Sequence, residues 1–489
     1  MTRTVTRHGF LSTSARAAGG VMLTSLLGIE GAAAAQEHAA KRPLTGTLSI
    51  FDFGQLSTPG SKKGVVQAYQ ALHPGVKIQI VGAPTGIDNT TYTITQMTAG
   101  TAPDIVSVAV AQEPWSDLTR NWWLEMTDFV DLPNPYDARH RRYRDFVRPV
   151  YLDQLQLNHR FWGIAVTGLD ALVYYNKDLF HKAGVTSVPQ TWDEFLRVQD
   201  RLQKSGVIPF AVDGGDITYG DPFPSLPDLV QSMTMPHTLA KLHHGPGVVT
   251  LNELVAGIEN GAYSAHNADY QESWRLIKEW SRYWQRGFAG TSNAGALFLK
   301  GQAAMYFVGA YNVPTVESSV PKGHTFGWDV FPLPQITPAS SPFATAEPKN
   351  VGVWGAWGSG AYCITYVAQK RGNVDLARDF LFFLSAPRQA ATVSISDGFL
   401  PIYAEVPIKG SNPLETRLYE KFNDVMQHPC ALATAQTALG PALQLKRTKV
   451  LQSYLTGQIS LDAAMGEMQS AFTRAARTAR RWLSAAGEK

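Results

Sequence analysis

The chain holds only two cysteines in 489 residues, and only 17 % of its residues are charged. Two thiols cannot build a disulfide framework or a cysteine-rich zinc site. The charged share sits below the roughly 25 % of an average soluble protein. No sign of charge dominates: 43 Lys and Arg stand against 40 Asp and Glu, a formal net of +3. That balance gives no electrostatic case for nucleic acid. With 44 % hydrophobic residues, the chain also lacks the composition of a disordered protein. Past the N-terminal region there is no uncharged apolar run of roughly 18 residues, so no membrane-spanning helix is expected. No His-x-x-x-His, Cys-x-x-Cys or Gly-x-Ser-x-Gly occurs, which removes the usual zinc and serine-hydrolase signatures. What is plentiful is aromatic: 12 Trp, 18 Tyr and 22 Phe. Part of that load belongs to cores, and part can line a site.

Residues 1–35 read as a secretory signal peptide. Arg3, Arg7 and Arg16 make a basic start, residues 17–29 are apolar but too short to span a bilayer, and Ala33-Ala34-Ala35 offers a cleavage site. The stretch from Thr6 to Leu11 resembles a twin-arginine signal, with His8 in the place of the second Arg. No Cys lies near residue 35, so a lipoprotein anchor is not expected there. Most of the slight positive excess sits in this leader, which has three Arg and only Glu30 against them. An exported, periplasmic or extracellular protein follows.

The mature chain begins with a regular α/β pattern. Residues 47–53 alternate as a strand, Val65, Val66, Tyr69 and Leu72 fall at helical spacing, and His73-Pro74-Gly75 stops that helix. Residues 77–81, 90–99 and 104–108 read as strand, helix and strand, the signature of a parallel sheet. A second set follows, with strands at 163–166, 171–175, 304–308 and 328–331. Thr191 and Glu194 form a capping box for a helix ended by Gly206. Trp274, Trp280 and Trp284 lie at core spacing on an amphipathic helix over 269–287. Residues 375–384 form a helix stopped by Pro387, and 415–485 are mainly helical.

Four segments now carry a family likeness. They are residues 99–106 around Pro103-Asp104; Tyr174-Tyr175-Asn176-Lys177-Asp178-Leu179-Phe180 continuing to Phe195; residues 298–306 around Lys300-Gly301-Gln302; and residues 377–384 followed by Gly398-Phe399-Leu400-Pro401. In order and spacing the chain resembles the extracellular solute-binding proteins of ABC importers, in the carbohydrate-binding group that includes the maltodextrin-binding proteins. The resemblance covers about 45–405. It implies an α/β, two-lobed periplasmic-binding-protein fold of type II, each lobe a mainly parallel sheet flanked by helices, with hinge strands between. Lobe one would hold about 45–157 and 356–402, and lobe two about 158–355 and 403–489. A carbohydrate would be captured in the interlobe cleft by hinge closure and delivered to the membrane permease subunits of an ABC transporter, by a monomer without cofactor, metal or catalytic residues.

Ligands of open α/β sheets bind beyond the carboxyl ends of strands. The candidates are therefore Phe53 and Gln55, Gln112 and Glu113, Thr167 and Asp170, Asp216, Tyr219 and Asp221, Tyr311 and Asn312, and Trp354 and Trp357. Aromatic rings cover the C–H face of a sugar, and carboxylates and amides take its hydroxyls. By the resemblance, an aromatic at Tyr311 stacks on sugar. The plainer reading for each aromatic is core packing, and for each acid a cap or a solvated loop. Asn176 and Asp178 read as helix caps, Asp104 as structural, and Cys363 and Cys430 as two buried free thiols. Two other readings stay open: an exported carbohydrate-active enzyme, and the same fold holding a non-sugar solute such as a polyamine.

Overall fold

The computed structural model describes residues 43–52, 56, 62–84, 87, 89–108, 120–157, 159–215, 223–243, 248–323, 326–345, 351–353, 355, 360–396 and 398–485. The leader read in residues 1–35 lies outside them.

Two four-stranded sheets organise the chain. Strands β1 (Thr45–Phe51), β2 (Gly75–Val81) and β3 (Ile105–Val108) form the first, and β4 (Ala171–Asn176), β5 (Ile208–Ala211), β6 (Ala303–Gly309) and β7 (Trp328–Phe331) form the second. Strand β8 (Ala361–Ile364) returns to the first sheet, whose order is β8-β3-β1-β2. There β1 pairs in parallel with both β2 and β3, and only β8 runs against them. The second sheet has the order β7-β4-β6-β5. Three of its strands also share a direction, but the reversed strand β4 is internal, so two of the three ladders are antiparallel. The alternation read at the N-terminus holds in β1, where Leu48 and Ile50 are buried and Ser49 is half-buried.

Three segments join the sheets. The short strand Thr167–Gly168 pairs with Leu400–Pro401. The Ile164–Tyr362 and Leu169–Gly355 bridges bring the outgoing and returning chain together. Residues 163–166 are thus not the strand that their apolar run suggests. They are buried on all sides at the crossing, with one bridge at Ile164, and a Cβ on Gly163 would lie 2.6 Å from the Cys363 sulfur.

Local signals account for several helix ends. The Asn176 side chain accepts from the Asp178 and Leu179 amides at 3.0 Å each, capping Lys177–Lys182. Thr191 and Glu194 make the reciprocal box that starts Trp192–Lys204, and Gly206 takes φ +78° beyond its end. Pro387 does not merely stop the helix Val374–Ser385; it opens the next one, Pro387–Ser396. A proline lacks only an N–H that the first turn leaves unpaired anyway. The Trp-rich helix spans Ala268–Trp280 and then tightens into a 3-10 turn at Ser281–Tyr283.

Much of the aromatic load is core. Trp192, Trp274 and Trp280 are fully buried. Trp280 packs edge-to-face against Trp192, Phe210 and Trp284, with ring centroids 5.7, 4.9 and 5.2 Å apart. Such pairs add about 0.5–1.5 kcal/mol beyond the area they bury. Asp104 is structural: its carboxylate takes the Ser49 amide at 2.8 Å and hydroxyl at 2.6 Å. Cys363 and Cys430 are free and buried, and burial pushes the Cys363 thiol well above its ordinary range.

The second sheet has an acid-sensitive clamp. Asp329 of β7 receives Lys421 at 2.7 Å, Lys177 at 3.4 Å and Arg417 at 3.6 Å. Burial works to raise its carboxyl, but the Lys421 bond, the Val330 amide and the nearby cations outweigh it and hold it below the usual range. A depressed folded value adds stability above the unfolded pKa of about 3.9, and that stability is lost as pH falls through the folded value. Asp329→Asn is expected to be about 1 kcal/mol less stable at pH 7, a modest figure because the cations are partly solvated. The gap to wild type should close below pH ~4 in melts across a pH series; a gap that persists in acid would contradict it.

Candidate functional site

Strand β6 ends at Gly309, where the Tyr174 hydroxyl donates to its carbonyl at 3.0 Å. The next amide, of Ala310, donates to the Asp170 carbonyl at 3.0 Å. These bonds fix a 3-10 turn, Ala310–Asn312, that carries Tyr311 and Asn312, both half-buried, beyond the carboxyl end of the strand. Gly398 comes up to this turn from the segment that leads to Leu400–Pro401. It takes φ +73°, and a Cβ there would lie 3.0 Å from the Ala310 carbonyl oxygen and 3.2 Å from Tyr311 Cα. Tyr311 therefore stands where the chain of the two sheets meets.

Thr167 and Asp170 lie at the same crossing but are 0 % exposed. Thr167 is in the short ladder with Pro401. One carboxylate oxygen of Asp170 accepts from the Ala171 amide at 2.8 Å and the Val353 amide at 2.7 Å. The acid thus staples the segment at 352–353 to the start of β4. The structure brings Thr167, Asp170, Tyr311 and Asn312 together, with only the last two offering surface. Phe53, Gln55, Gln112, Glu113, Asp216, Tyr219, Asp221, Trp354 and Trp357 lie outside the described residues. The chain up to residue 215, just before Asp216, is well held. Asp213 accepts the Tyr306 hydroxyl at 2.8 Å and the Ala294 amide, and Gly215 packs directly on the backbone of Gly290 and Thr291.

A groove of about 400 Å³ opens between the first-sheet side of the molecule and its last two helices, Pro441–Leu455 and Leu461–Ala485. Ile94, Arg120 and Trp122 line one wall, and Lys446, Arg474 and Trp482 the other. The Arg120 guanidinium lies 4.5 Å from the centroid of the Trp122 ring. Lys446 is ion-paired with Glu467. Among the described residues, no Asp or Glu lines this groove. The volume is that of an ordinary small-molecule site, which commonly has apolar walls and a few placed polar groups. None of these lining residues figures in the strand-end reading. The signal was present in Arg120-Asn121-Trp122-Trp123 and in the run of arginines from Arg474, but their meeting depends on contacts more than 300 residues apart in sequence.

Among the described residues no three His, Cys, Asp or Glu are grouped to hold a metal, and no helix is long and apolar enough to cross a membrane.

Two α/β sheets, three crossing segments and a strand-end turn at their junction define a two-lobed type II periplasmic-binding-protein fold. The chain belongs to the bacterial extracellular solute-binding protein family, whose profile matches residues 55–391. It is 23 % identical over 195 residues to the multiple sugar-binding protein of Streptococcus mutans, an alignment covering 39 % of this chain and 43 % of that one. The chain thus spans less than half the length of that curated relative. A chitin oligosaccharide binding protein superposes with a TM-score of 0.64 at 20 % identity, covering 88 % of this chain and 99 % of the other. The GacH receptor of Streptomyces glaucescens, solved unliganded and with acarbose, superposes with a TM-score of 0.63 at 17 % identity, covering 89 % and 99 %.

Proposed function

We propose that this chain is an exported receptor that captures a carbohydrate between its lobes and hands it to an ABC permease without chemically altering it. The observation that carries this reading is Tyr311, half-buried beyond the carboxyl end of β6 at the junction of the two sheets. A flat ring in that position can cover a sugar's C–H face, and a ligand touching both lobes favours the closed arrangement by its differential affinity. Family membership and the sugar-binding names of its relatives support the same conclusion. The lobes fall at about 45–157 with 356–402, and 158–355 with 403–489. Return of β8 to the first sheet supports this division, as does the clasp of Lys421 on Asp329 in the second. Residues 1–35 serve as the export signal, and the receptor acts as a monomer.

Thr167 and Asp170 then hold the hinge rather than the ligand, since neither presents surface. Tyr311, Asn312 and the candidate residues outside the described segments form the ligand set. A thermal-shift panel of mono- and oligosaccharides tests the reading. Ligand at 100 times its Kd should stabilise the fold by about 2.7 kcal/mol. Tyr311→Ala should weaken the best ligand about tenfold, near 1.4 kcal/mol. A flat panel sinks the carbohydrate assignment, and unchanged affinity removes Tyr311 from the site. An enzyme would convert a bound oligosaccharide on prolonged incubation; this receptor should return it intact after days.

A further inference from the structure

We infer that Gly398 and Tyr174 are positioning residues for Tyr311: between them they hold the turn Ala310–Asn312 in one place, so that the ring stands ready before a ligand arrives. The inference rests on the carbohydrate reading above and adds what fixes its stacking residue.

A ring at the end of a strand follows the backbone that carries it. A 3-10 turn of three residues has few bonds of its own to resist tilting. The constraint here comes from outside the turn. The Tyr174 hydroxyl donates to the Gly309 carbonyl at 3.0 Å, and the Ala310 amide donates to the Asp170 carbonyl at 3.0 Å. Both Tyr174 and Asp170 are 0 % exposed. The Tyr174 ring is itself stacked on Trp328, with centroids 5.8 Å apart. Burial pushes its hydroxyl well above the ordinary tyrosine range, and the neighbouring Tyr419 and Tyr311 add to the effect. It therefore keeps its proton, and keeps donating, at any working pH.

The remaining contact is steric. Gly398 is buried at φ +73°, and a Cβ there would meet the Ala310 carbonyl oxygen at 3.0 Å, Tyr311 Cα at 3.2 Å and the Tyr419 hydroxyl at 3.2 Å. Two of those three are backbone atoms, which cannot swing aside as a side-chain tip can. The bare Cα lets the crossing segment lie against the turn; any larger residue must push the turn, and Tyr311 with it. Two residues on, Leu400 enters the ladder with Gly168, which limits how far the segment can retreat. In the lobe division above, Gly398 belongs to lobe one and Tyr311 to lobe two, so the ring is seated from across the junction. A contact group held in place beforehand removes an ordering cost from binding.

The test replaces Tyr311 by 3-fluorotyrosine and compares the wild-type background with Gly398→Ala, Tyr174→Phe and Gly372→Ala. Gly372 is an exposed control with φ +72° and nothing within 4 Å of a built Cβ, so its variant carries the left-handed strain without the contact. Without ligand, the fluorine resonance should be single and sharp in the wild-type background and in Gly372→Ala, and shifted, split or broadened in the other two. Titration calorimetry on the unlabelled proteins then uses the tightest saccharide of the thermal-shift panel. Gly398→Ala and Tyr174→Phe should each weaken it about fivefold. Once Tyr311 is alanine, each should weaken it by under about twofold, since both act through that ring. Gly372→Ala should bind as wild type does. If Gly398→Ala does not fold, Tyr174→Phe, which keeps the ring and removes one hydroxyl, decides alone. An unmoved fluorine signal, unchanged affinity, or equal losses with and without the Tyr311 ring overturns the inference and leaves the carbohydrate reading intact. No binding of any saccharide to the wild-type protein overturns both.

Discussion

Replacing Arg447 by methionine is expected to lower stability by about 3–5 kcal/mol, the usual loss when a buried ion pair is broken from one side. Arg447 is 1 % exposed. Its guanidinium meets both oxygens of Asp228 at 2.5 and 2.9 Å, donates to the Pro224 carbonyl at 2.9 Å and to Gln444 at 2.6 Å, and reaches Gln436. Gln436 in turn binds Gln231 and Tyr263. The pair thus joins the helices Leu226–Thr234 and Pro441–Leu455 through one polar knot. Removing the cation leaves Asp228 buried, ionisable and without its counter-charge. Asp228→Leu should lose a similar amount. The double replacement should lose clearly less than the sum, because well-packed apolar groups replace a buried pair with little penalty. Unfolding midpoints of the three variants decide it: strictly additive losses would mean the two residues do not act as a unit.

Gly352→Ala is the second large effect. A Cβ at that position would sit 2.0 Å from a carboxylate oxygen of Asp170 and 2.9 Å from the Val425 carbonyl oxygen. The methyl must displace the segment that Asp170 holds through the Val353 amide. A buried amide and carboxylate that lose each other cost about 1–3 kcal/mol, and the backbone contact adds to that, so a loss of about 2–4 kcal/mol is expected. In an Asp170→Ala background the same substitution should lose markedly less, since the blocking oxygen is gone. Equal losses in both backgrounds, read from thermal melts, would contradict this packing.

Local chemistry was the legible part of this chain. The Asn176 cap and the Thr191–Glu194 box close over two or three residues, so composition alone announces them. Trp274 and Trp280 reveal their burial through helical spacing. The two-sheet architecture followed from the order of strands and the family resemblance, but the placement of β4 inside its sheet did not. Pro387 misled because a proline just past one helix and a proline opening the next look identical in sequence. Thr167 and Asp170 sit beyond strand ends, as ligand residues do, yet the chain returning at 352–355 and 400–401 buries both. The groove was illegible for the same reason in reverse. Arg120 and Trp122 meet Arg474 and Trp482 only after the whole fold is assembled.

The state of the thiols has a practical consequence for testing the proposed closure of the lobes. Both native cysteines are free and buried, Cys363 in the first sheet and Cys430 within 2.7 Å of the Ser232 hydroxyl. The native protein therefore offers a maleimide dye no exposed cysteine to compete with an introduced one. A single cysteine placed on the rim of each sheet's half could carry a donor and an acceptor fluorophore on an otherwise wild-type chain. The distance between them would report the proposed opening and closing molecule by molecule, without first deleting a native residue.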